Sequence, residues 1–167
     1  MRNKTQHQED FKFIPFLISL IIPLTLGLIV YLLIPNMKAL YETLEKPFWA
    51  LPSIAFPIAW TILYILMGIA SYKVYIKKYE NIDVSSALFV YAIQLLLNIL
   101  WSFIFFSFRL YGLAFIELLI LLIFVILTLI RFYQKSGIKA AILLLPYLLW
   151  IIYAGVLNFF IWMLNEM

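Results

Sequence analysis

Residues 113–130 read LAFIELLILLIFVILTLI, and this stretch decides the class of protein. Its only polar side chains are those of Glu117 and Thr128. In an α-helix these residues would extend about 27 Å at 1.5 Å per residue, close to the ~30 Å hydrocarbon core of a bilayer. The stretch therefore predicts a transmembrane helix.

Four similar apolar runs accompany it, and short charged or turn-forming segments separate them. The predicted spans are residues 13–34, 57–76, 84–108, 113–130 and 138–164. The first run is longer than the ~7–15-residue core of a signal peptide, so we interpret it as a retained helix. We predict an all-α integral membrane protein: a polar leader at 1–12, then a five-helix transmembrane bundle at 13–167 in which 35–56 is the longest loop.

The composition excludes several other classes. Hydrophobic residues make up 66% of the 167 residues and charged residues 12%, against about 45–50% and 25% in soluble domains. A soluble enzyme, a nucleic-acid-binding protein and a disulfide-rich secreted domain are all poor fits. Cysteine is absent and the single histidine, His7, lies in the polar leader. We therefore expect no metal site and no resident cofactor.

The positions of the basic residues predict an orientation. Nine of the twelve Lys and Arg residues lie on the side of the N-terminus, and Lys38, Lys46 and Arg109 lie on the other. Cytoplasmic loops carry the excess of basic residues. We expect the N-terminus in the cytoplasm, the C-terminus outside, and loop 35–56 on the outer face. This pattern suits a bacterial plasma membrane.

Polar and aromatic residues recur along one face of the third span. Tyr91, Gln94, Asn98, Trp101 and Phe105 are spaced by 3, 4, 3 and 4 residues, which is the period of a helix face. Amides avoid lipid, so this face turns inward. It either supplies hydrogen bonds between helices or lines a ligand cavity whose few polar groups orient an apolar guest.

Two other spans repeat the pattern. The fifth carries Tyr147, Trp150, Ala154 and Asn158 on one face, and the second carries Trp60 and Tyr64. Either tryptophan could be an interfacial anchor or a packing residue. Inward tryptophans on three helices instead predict an aromatic-walled pocket for a flat, conjugated ligand, because offset stacking favours such shapes.

Two further features lie outside these polar and aromatic helix faces, which we call the inward stripes. Glu117 is the only acidic residue inside a predicted span, and it either hydrogen-bonds a neighbouring helix or serves a proton or ligand. Loop 35–56 contains Tyr41 and Trp49 between prolines. It is either a rigid turn with an interfacial tryptophan or a lid over the outer mouth of the bundle.

Five motifs in order resemble the translocator protein family, also called tryptophan-rich sensory proteins or peripheral benzodiazepine receptors (TspO/MBR). The motifs are Tyr41 through Pro52, Trp60-x-x-Leu63-Tyr64-x-x-Met67-Gly68, Gln94-Leu95-x-Leu97-Asn98-x-x-Trp101-Ser102, Pro146-Tyr147-Leu148-x-Trp150, and Ala154-x-x-Leu157-Asn158. The resemblance covers nearly the whole chain after the leader.

The resemblance implies a bundle, often dimeric, that binds porphyrins such as protoporphyrin IX and benzodiazepine-type drugs below the first loop. It also implies possible light- and oxygen-dependent degradation of the porphyrin, in which Trp60 and Trp150 would be the catalytic residues. With the inward stripes, the expected ligand-binding residues are Tyr41, Trp49, Trp60, Tyr64, Gln94, Asn98, Trp101, Tyr147, Trp150, Ala154 and Asn158.

Other functions fit the same sequence. The chain could instead transport porphyrins or lipids, or act as a regulatory or assembly subunit in which the aromatic residues only pack.

The sequence also departs from the family pattern at Leu40, where a tryptophan is common, and at Leu51, where a proline is common. The C-terminal region lacks the tyrosine and basic residue of the mammalian cholesterol motif, so the sequence does not support sterol recognition.

Overall fold

The computed structural model describes residues 11–167, so most of the predicted leader, including His7, lies outside the described residues. Those residues contain no strand, and five of their helical segments are long and apolar enough to cross a membrane. The predicted fold class, an all-α membrane protein with five spanning helices, is confirmed.

The helices follow the hydrophobic runs closely. They are α1 (Phe13–Leu33), α2 (Met37–Thr43), α3 (Ala55–Tyr75), α4 (Ser85–Ser102), α5 (Tyr111–Ser136), α6 (Ile138–Ala141) and α7 (Leu145–Asn165). A 3-10 turn, Ile76–Glu80, extends α3, and a π-helical turn, Phe103–Ser107, extends α4. A second 3-10 turn, Ile142–Leu144, joins α6 to α7 in the last span.

Counting the turns that extend α3 and α4, helix ends differ from the predicted bounds by up to six residues, and the end of α5 differs most. Helix α5 continues past residue 130 to Ser136, because its charged end can reach water without ending the helix, and Phe132 is fully buried there. The break comes only at Gly137, whose φ of 74° favours glycine. In addition, the first loop, residues 34–54, contains the short helix α2, which hydropathy alone does not reveal.

The spans pack as a ring. Helix α1 packs against α3 and α4, α4 against α5, and α5 against α7. Helix α3 closes the ring by contacting α6 and the turn Ile142–Leu144, so the two spans meet at the end away from the first loop. Between α3 and α7 themselves, aromatic side chains fill the space; we call this region the α3–α7 gap.

Close backbone contact holds α1 onto α3. A Cβ atom added at Gly68 would lie 2.9 Å from both the Cα of Leu20 and the carbonyl oxygen of Ser19. Glycine therefore allows the two helices to approach more closely than any other residue would. Only Pro23 and Val30 of α1 are buried, so most of this helix faces lipid.

Candidate ligand site

Aromatic side chains from two spans meet across the α3–α7 gap. The Trp60 ring stacks on Tyr64, with centroids 5.4 Å apart, and meets the edges of Tyr147 at 6.2 Å and Trp150 at 6.4 Å. Phe56 lies one helical turn before Trp60 and contacts Trp150 at 5.7 Å. The predicted tryptophans of the second and fifth spans are thus neighbours, and they form one side of an aromatic wall.

Asn98 joins three helices at the base of this wall. The Tyr64 hydroxyl donates a hydrogen bond of 2.9 Å to Asn98 Oδ1, and Asn98 Nδ2 donates one of 3.2 Å to the Tyr147 hydroxyl. All three side chains are buried. In this state the amide of Asn98 connects helices, and it also lies where it could meet a ligand that displaced a tyrosine.

A second polar pair lies on the first-loop side of Asn98. The indole nitrogen of Trp101 donates to Asn158 Oδ1 at 3.0 Å, and Asn158 Nδ2 donates to the carbonyl oxygen of Tyr111 at 2.9 Å. These bonds connect α4, α7 and the start of α5. They fix the position of Trp101, whose side chain lines a small cavity.

This cavity has a volume of about 20 Å³. Its lining residues are Tyr41, Phe56, Trp101, Phe105, Phe106, Ala154, Leu157, Asn158 and Ile161. The space could hold one water molecule, whereas pockets for drug-sized ligands are about 300–1,000 Å³. The structure therefore represents a closed state, and any large ligand requires the walls to move apart.

Four of the eleven predicted residues line this cavity: Tyr41, Trp101, Ala154 and Asn158. Five others form the aromatic wall or its base: Trp60, Tyr64, Asn98, Tyr147 and Trp150. Gln94 and Trp49 belong to neither group. Gln94 lies deeper in the bundle, where its Nε2 contacts the sulfur of Met67 at 3.7 Å. Trp49 packs edge-on against Tyr153 and Phe160 on the first-loop side. Trp150 belongs to the aromatic wall, and its buried indole N–H has no hydrogen-bond partner within residues 11–167.

The first loop is bonded to the last helix. The Glu45 N–H donates to Asn165 Oδ1 at 3.0 Å, and Asn165 Nδ2 donates back to the Glu45 carbonyl at 2.9 Å. Farther along the loop, the Leu51 N–H donates to the Tyr153 hydroxyl at 3.0 Å. These contacts cover the cavity on its loop side, and each can break without unfolding a span.

The loop also carries internal bonds that fix Tyr41. Its hydroxyl donates to the Leu51 carbonyl at 2.9 Å, and Lys46 Nζ donates to the carbonyl oxygens of Tyr41 and Leu44, each at 2.6 Å. Burial, and to a lesser extent the nearby Tyr153, raises the pKa of Tyr41 to about 12. The phenol therefore stays protonated, and a hydrogen-bond donor, at physiological pH.

Sequence reasoning missed several residues at this site. Phe56 precedes the predicted second span and was therefore not included. Its spacing of four residues from Trp60 nevertheless places both side chains on one helix face, and this spacing could have identified it. Leu157 and Ile161 line the cavity beside Asn158 but carry no polar marker. Tyr153 falls outside the stripe of the fifth span, and only the loop contact identifies it.

Glu117 is buried on α5, 6% exposed, and neither carboxyl oxygen has a hydrogen-bond partner among the described residues. The Tyr147 hydroxyl, which belongs to the Asn98 network, lies within electrostatic range of this carboxyl group. The carboxyl group is thus close to the Asn98 network without bonding to it.

These features define a class: a polytopic helical membrane protein with an aromatic cleft between its spans, closed by a loop. The family model described as the TspO/MBR family matches residues 19–163. The chain belongs to this family, which confirms the resemblance seen in its motifs.

Relatives from several lineages agree. The tryptophan-rich protein TspO of Chlorobaculum tepidum is 41% identical over 125 residues, covering 75% of this chain and 78% of that protein. The protein of the same name from Archaeoglobus fulgidus is 41% identical over 130 residues, 78% of this chain and 82% of its own. The translocator protein of Homo sapiens is 36% identical over 128 residues, 75% of each chain.

Proposed function

We propose that this membrane protein binds a flat, conjugated hydrophobic ligand, of which protoporphyrin IX is the model, in the α3–α7 gap beneath the first loop. The observation that carries the proposal is the convergence of Phe56, Trp60, Tyr147 and Trp150 from two helices on one wall. Aromatic faces reward stacking with a planar guest beyond the area that is buried.

The polar groups would orient the guest. Asn98 and the two tyrosine hydroxyls that it bonds lie at the base of the wall. The Trp150 N–H is buried and has no hydrogen-bond partner among the described residues, so a ligand acceptor that reached it would remove the cost of an unsatisfied donor, about 1–3 kcal/mol. A porphyrin carries both the ring face and the carboxylates that such a site can use.

Entry requires the first loop to lift. The cavity of about 20 Å³ must grow about fifteenfold to reach the smallest pockets that hold drug-sized ligands, roughly 300 Å³. The loop is held at its far end by Asn165 and Tyr153, and release of these bonds would open a path from the face that carries the loop. We place that face outside the cell, the N-terminus in the cytoplasm, and the protein in a bacterial plasma membrane, as a homodimer.

Within this proposal, Trp60 and Trp150 can support photo-oxidation of the bound porphyrin. An indole donates one electron to the photoexcited macrocycle, which gives an indole radical cation and a porphyrin radical anion. Dioxygen adds to the macrocycle, and the electron then returns to the indole. The net change is addition of dioxygen to the porphyrin with the tryptophan regenerated, and a sensor or scavenger role follows from the same binding step.

Binding is tested by titrating the purified protein with protoporphyrin IX and following tryptophan quenching. Ala154→Leu fills the cavity beside Trp101 and should abolish saturable quenching. Ala92→Leu makes the same change on the exposed face of α4 and should leave the binding curve unchanged. Equal binding curves for the two variants would contradict the proposal that the ligand binds in this pocket.

Turnover needs a separate measurement. Aerobic illumination of the complex should bleach the porphyrin absorbance in the wild type and much more slowly in Trp60→Phe and Trp150→Phe, provided that each variant still binds. Equal bleaching rates would mean that these tryptophans bind the ligand without reacting.

A further inference from the structure

A second cavity lies at the loop end of the bundle, where the end of α1, the start of α2 and the π-helical end of α4 meet. Its volume is about 180 Å³, larger than that of the cavity beneath the first loop. Among the described residues, Phe106 is the only one that lines both, so the two spaces are separate. No step of the proposed porphyrin chemistry uses this second cavity.

Its polar side has a single sign of charge. Arg109 is the only charged residue in the described lining, and Asn36 and Ser107 add neutral hydrogen-bonding groups. Within residues 11–167 the Arg109 guanidinium has no hydrogen bond and no ion pair. The closest acid along α2, Glu42, is engaged by Lys38 at 3.9 Å and by Ser53 at 2.9 Å. The described lining of the cavity therefore contains a cation and no acidic residue. The carboxylate of Glu166, at the same end of the bundle, lies outside the lining and accepts a hydrogen bond from the Gly112 N–H at 2.8 Å.

The backbone holds Arg109 in place. The residue has a φ of 56°, in the left-handed region that non-glycine residues seldom occupy. Hydrogen bonds on both sides fix it there: the Phe108 N–H donates to the Phe103 carbonyl at 2.9 Å, and the Leu110 N–H donates to the Ile104 carbonyl at 3.2 Å. The turn after the π-helical segment thus holds Arg109 beside the start of the first loop, where both line the cavity.

The other side of the cavity is apolar and opens toward lipid. Leu33, Met37 and Phe106 line it. Leu33 is 63% exposed at the end of the lipid-facing helix α1, and Phe108, next to Arg109, is 64% exposed. A soluble anion would contact only the polar side of this cavity. A phospholipid has a phosphate next to its acyl chains, so it could contact the polar side and the apolar side together.

We propose that this cavity binds the headgroup of one anionic phospholipid, with Arg109 on the phosphodiester and the acyl chains along α1 and α4. Guanidinium groups pair with phosphate oxygens through two parallel hydrogen bonds. A zwitterionic headgroup fits less well, because its ammonium group would find no acidic partner in the described lining of the cavity.

The test is a lipid titration of the detergent-purified protein by native mass spectrometry, in parallel with thermal unfolding. Phosphatidylglycerol, phosphatidylcholine and inorganic phosphate are the probes. Arg109→Gln removes the cation, and Arg131→Gln, at an exposed arginine at the other end of α5, is the matched control. Gel filtration and circular dichroism check that both variants fold.

We expect one phosphatidylglycerol per chain and a higher unfolding temperature, because a ligand of the folded state stabilises it. Arg109→Gln should weaken that binding about tenfold or more, and Arg131→Gln should not. The proposal is overturned if the two variants bind alike, if phosphatidylcholine binds as tightly, or if phosphate alone gives the same stabilisation. It is also overturned if a second copy of the chain covers the cavity, seen as a lipid-free dimer that Arg109→Gln dissociates.

Discussion

Replacement of Asn98 by leucine tests whether the polar network organises the site. Leucine has the same branching as asparagine, but it is larger and has no hydrogen-bonding group, so Asn98→Leu removes both bonds of the amide. The hydroxyls of Tyr64 and Tyr147 stay buried and lose their partner on α4. The variant should be less stable than the wild type, and it should keep its helix content.

The magnitude follows from the two bonds. Hydrogen bonds between membrane helices contribute about 0.6 kcal/mol on average and up to about 1.7 kcal/mol. Loss of both should therefore lower the free energy of unfolding by about 1–3 kcal/mol. Ser86→Leu is the matched control, because it also places leucine at a polar position of α4, but on the exposed face. It should change stability by less than about 0.5 kcal/mol.

The assay is reversible unfolding in mixed detergent micelles, followed by circular dichroism, with Tyr147→Phe completing a double-mutant cycle. Tyr147→Phe removes only the acceptor of Asn98 Nδ2. Once Asn98 is leucine, the second substitution should have little further effect. Additive losses, within about 0.3–0.5 kcal/mol, would refute the reasoning, because they would mean that the two side chains are not coupled.

Three further outcomes are expected. Gly68→Val should destabilise the fold by roughly 1–3 kcal/mol in the same unfolding assay, since its Cβ meets the backbone of α1; Gly155→Ala, which meets only a leucine methyl group at 3.2 Å, should be tolerated. Asn165→Ala breaks both bonds to Glu45, so amide hydrogen exchange in the first loop should accelerate without faster exchange in the spans. For Tyr41, the raised pKa means that its loop contact is intact below pH 10 and is lost as the pH rises toward 12; loop fluorescence from Trp49 should change over that range in the wild type and not in Tyr41→Phe.

Hydropathy was enough to predict the five spans, because the bilayer requires long apolar helices whose backbone groups bond internally. It was less informative about where helices end. The end of α5 carries Arg131 and Lys135 and remains helical to Ser136, since residues beyond the hydrocarbon core can continue a helix in water. Helix α2 is too short and too polar to stand out in the same way.

The faces of the site were also predictable. The spacing of Trp60, Asn98 and Trp150 along their helices indicates that each turns inward. The residues that they contact on other helices could not be predicted, because periodicity within one helix carries no information on the register between helices. The bonds of Asn98 to Tyr64 and Tyr147 span 34 and 49 residues, and the loop bond to Asn165 spans 120. Only the packed ring brings these groups together.

The central claim is that a planar ligand enters the α3–α7 gap beneath the first loop, and a covalent lock tests it most directly. Since the chain contains no cysteine, Glu45→Cys combined with Asn165→Cys gives a single thiol pair where the loop meets α7. In the reduced protein, protoporphyrin IX should quench tryptophan fluorescence saturably; closing the pair with a short thiol cross-linker should suppress that binding, and each single-cysteine variant treated with the same reagent should still bind. Equal affinity in the open and locked forms would contradict the account, because the ligand would then bind elsewhere.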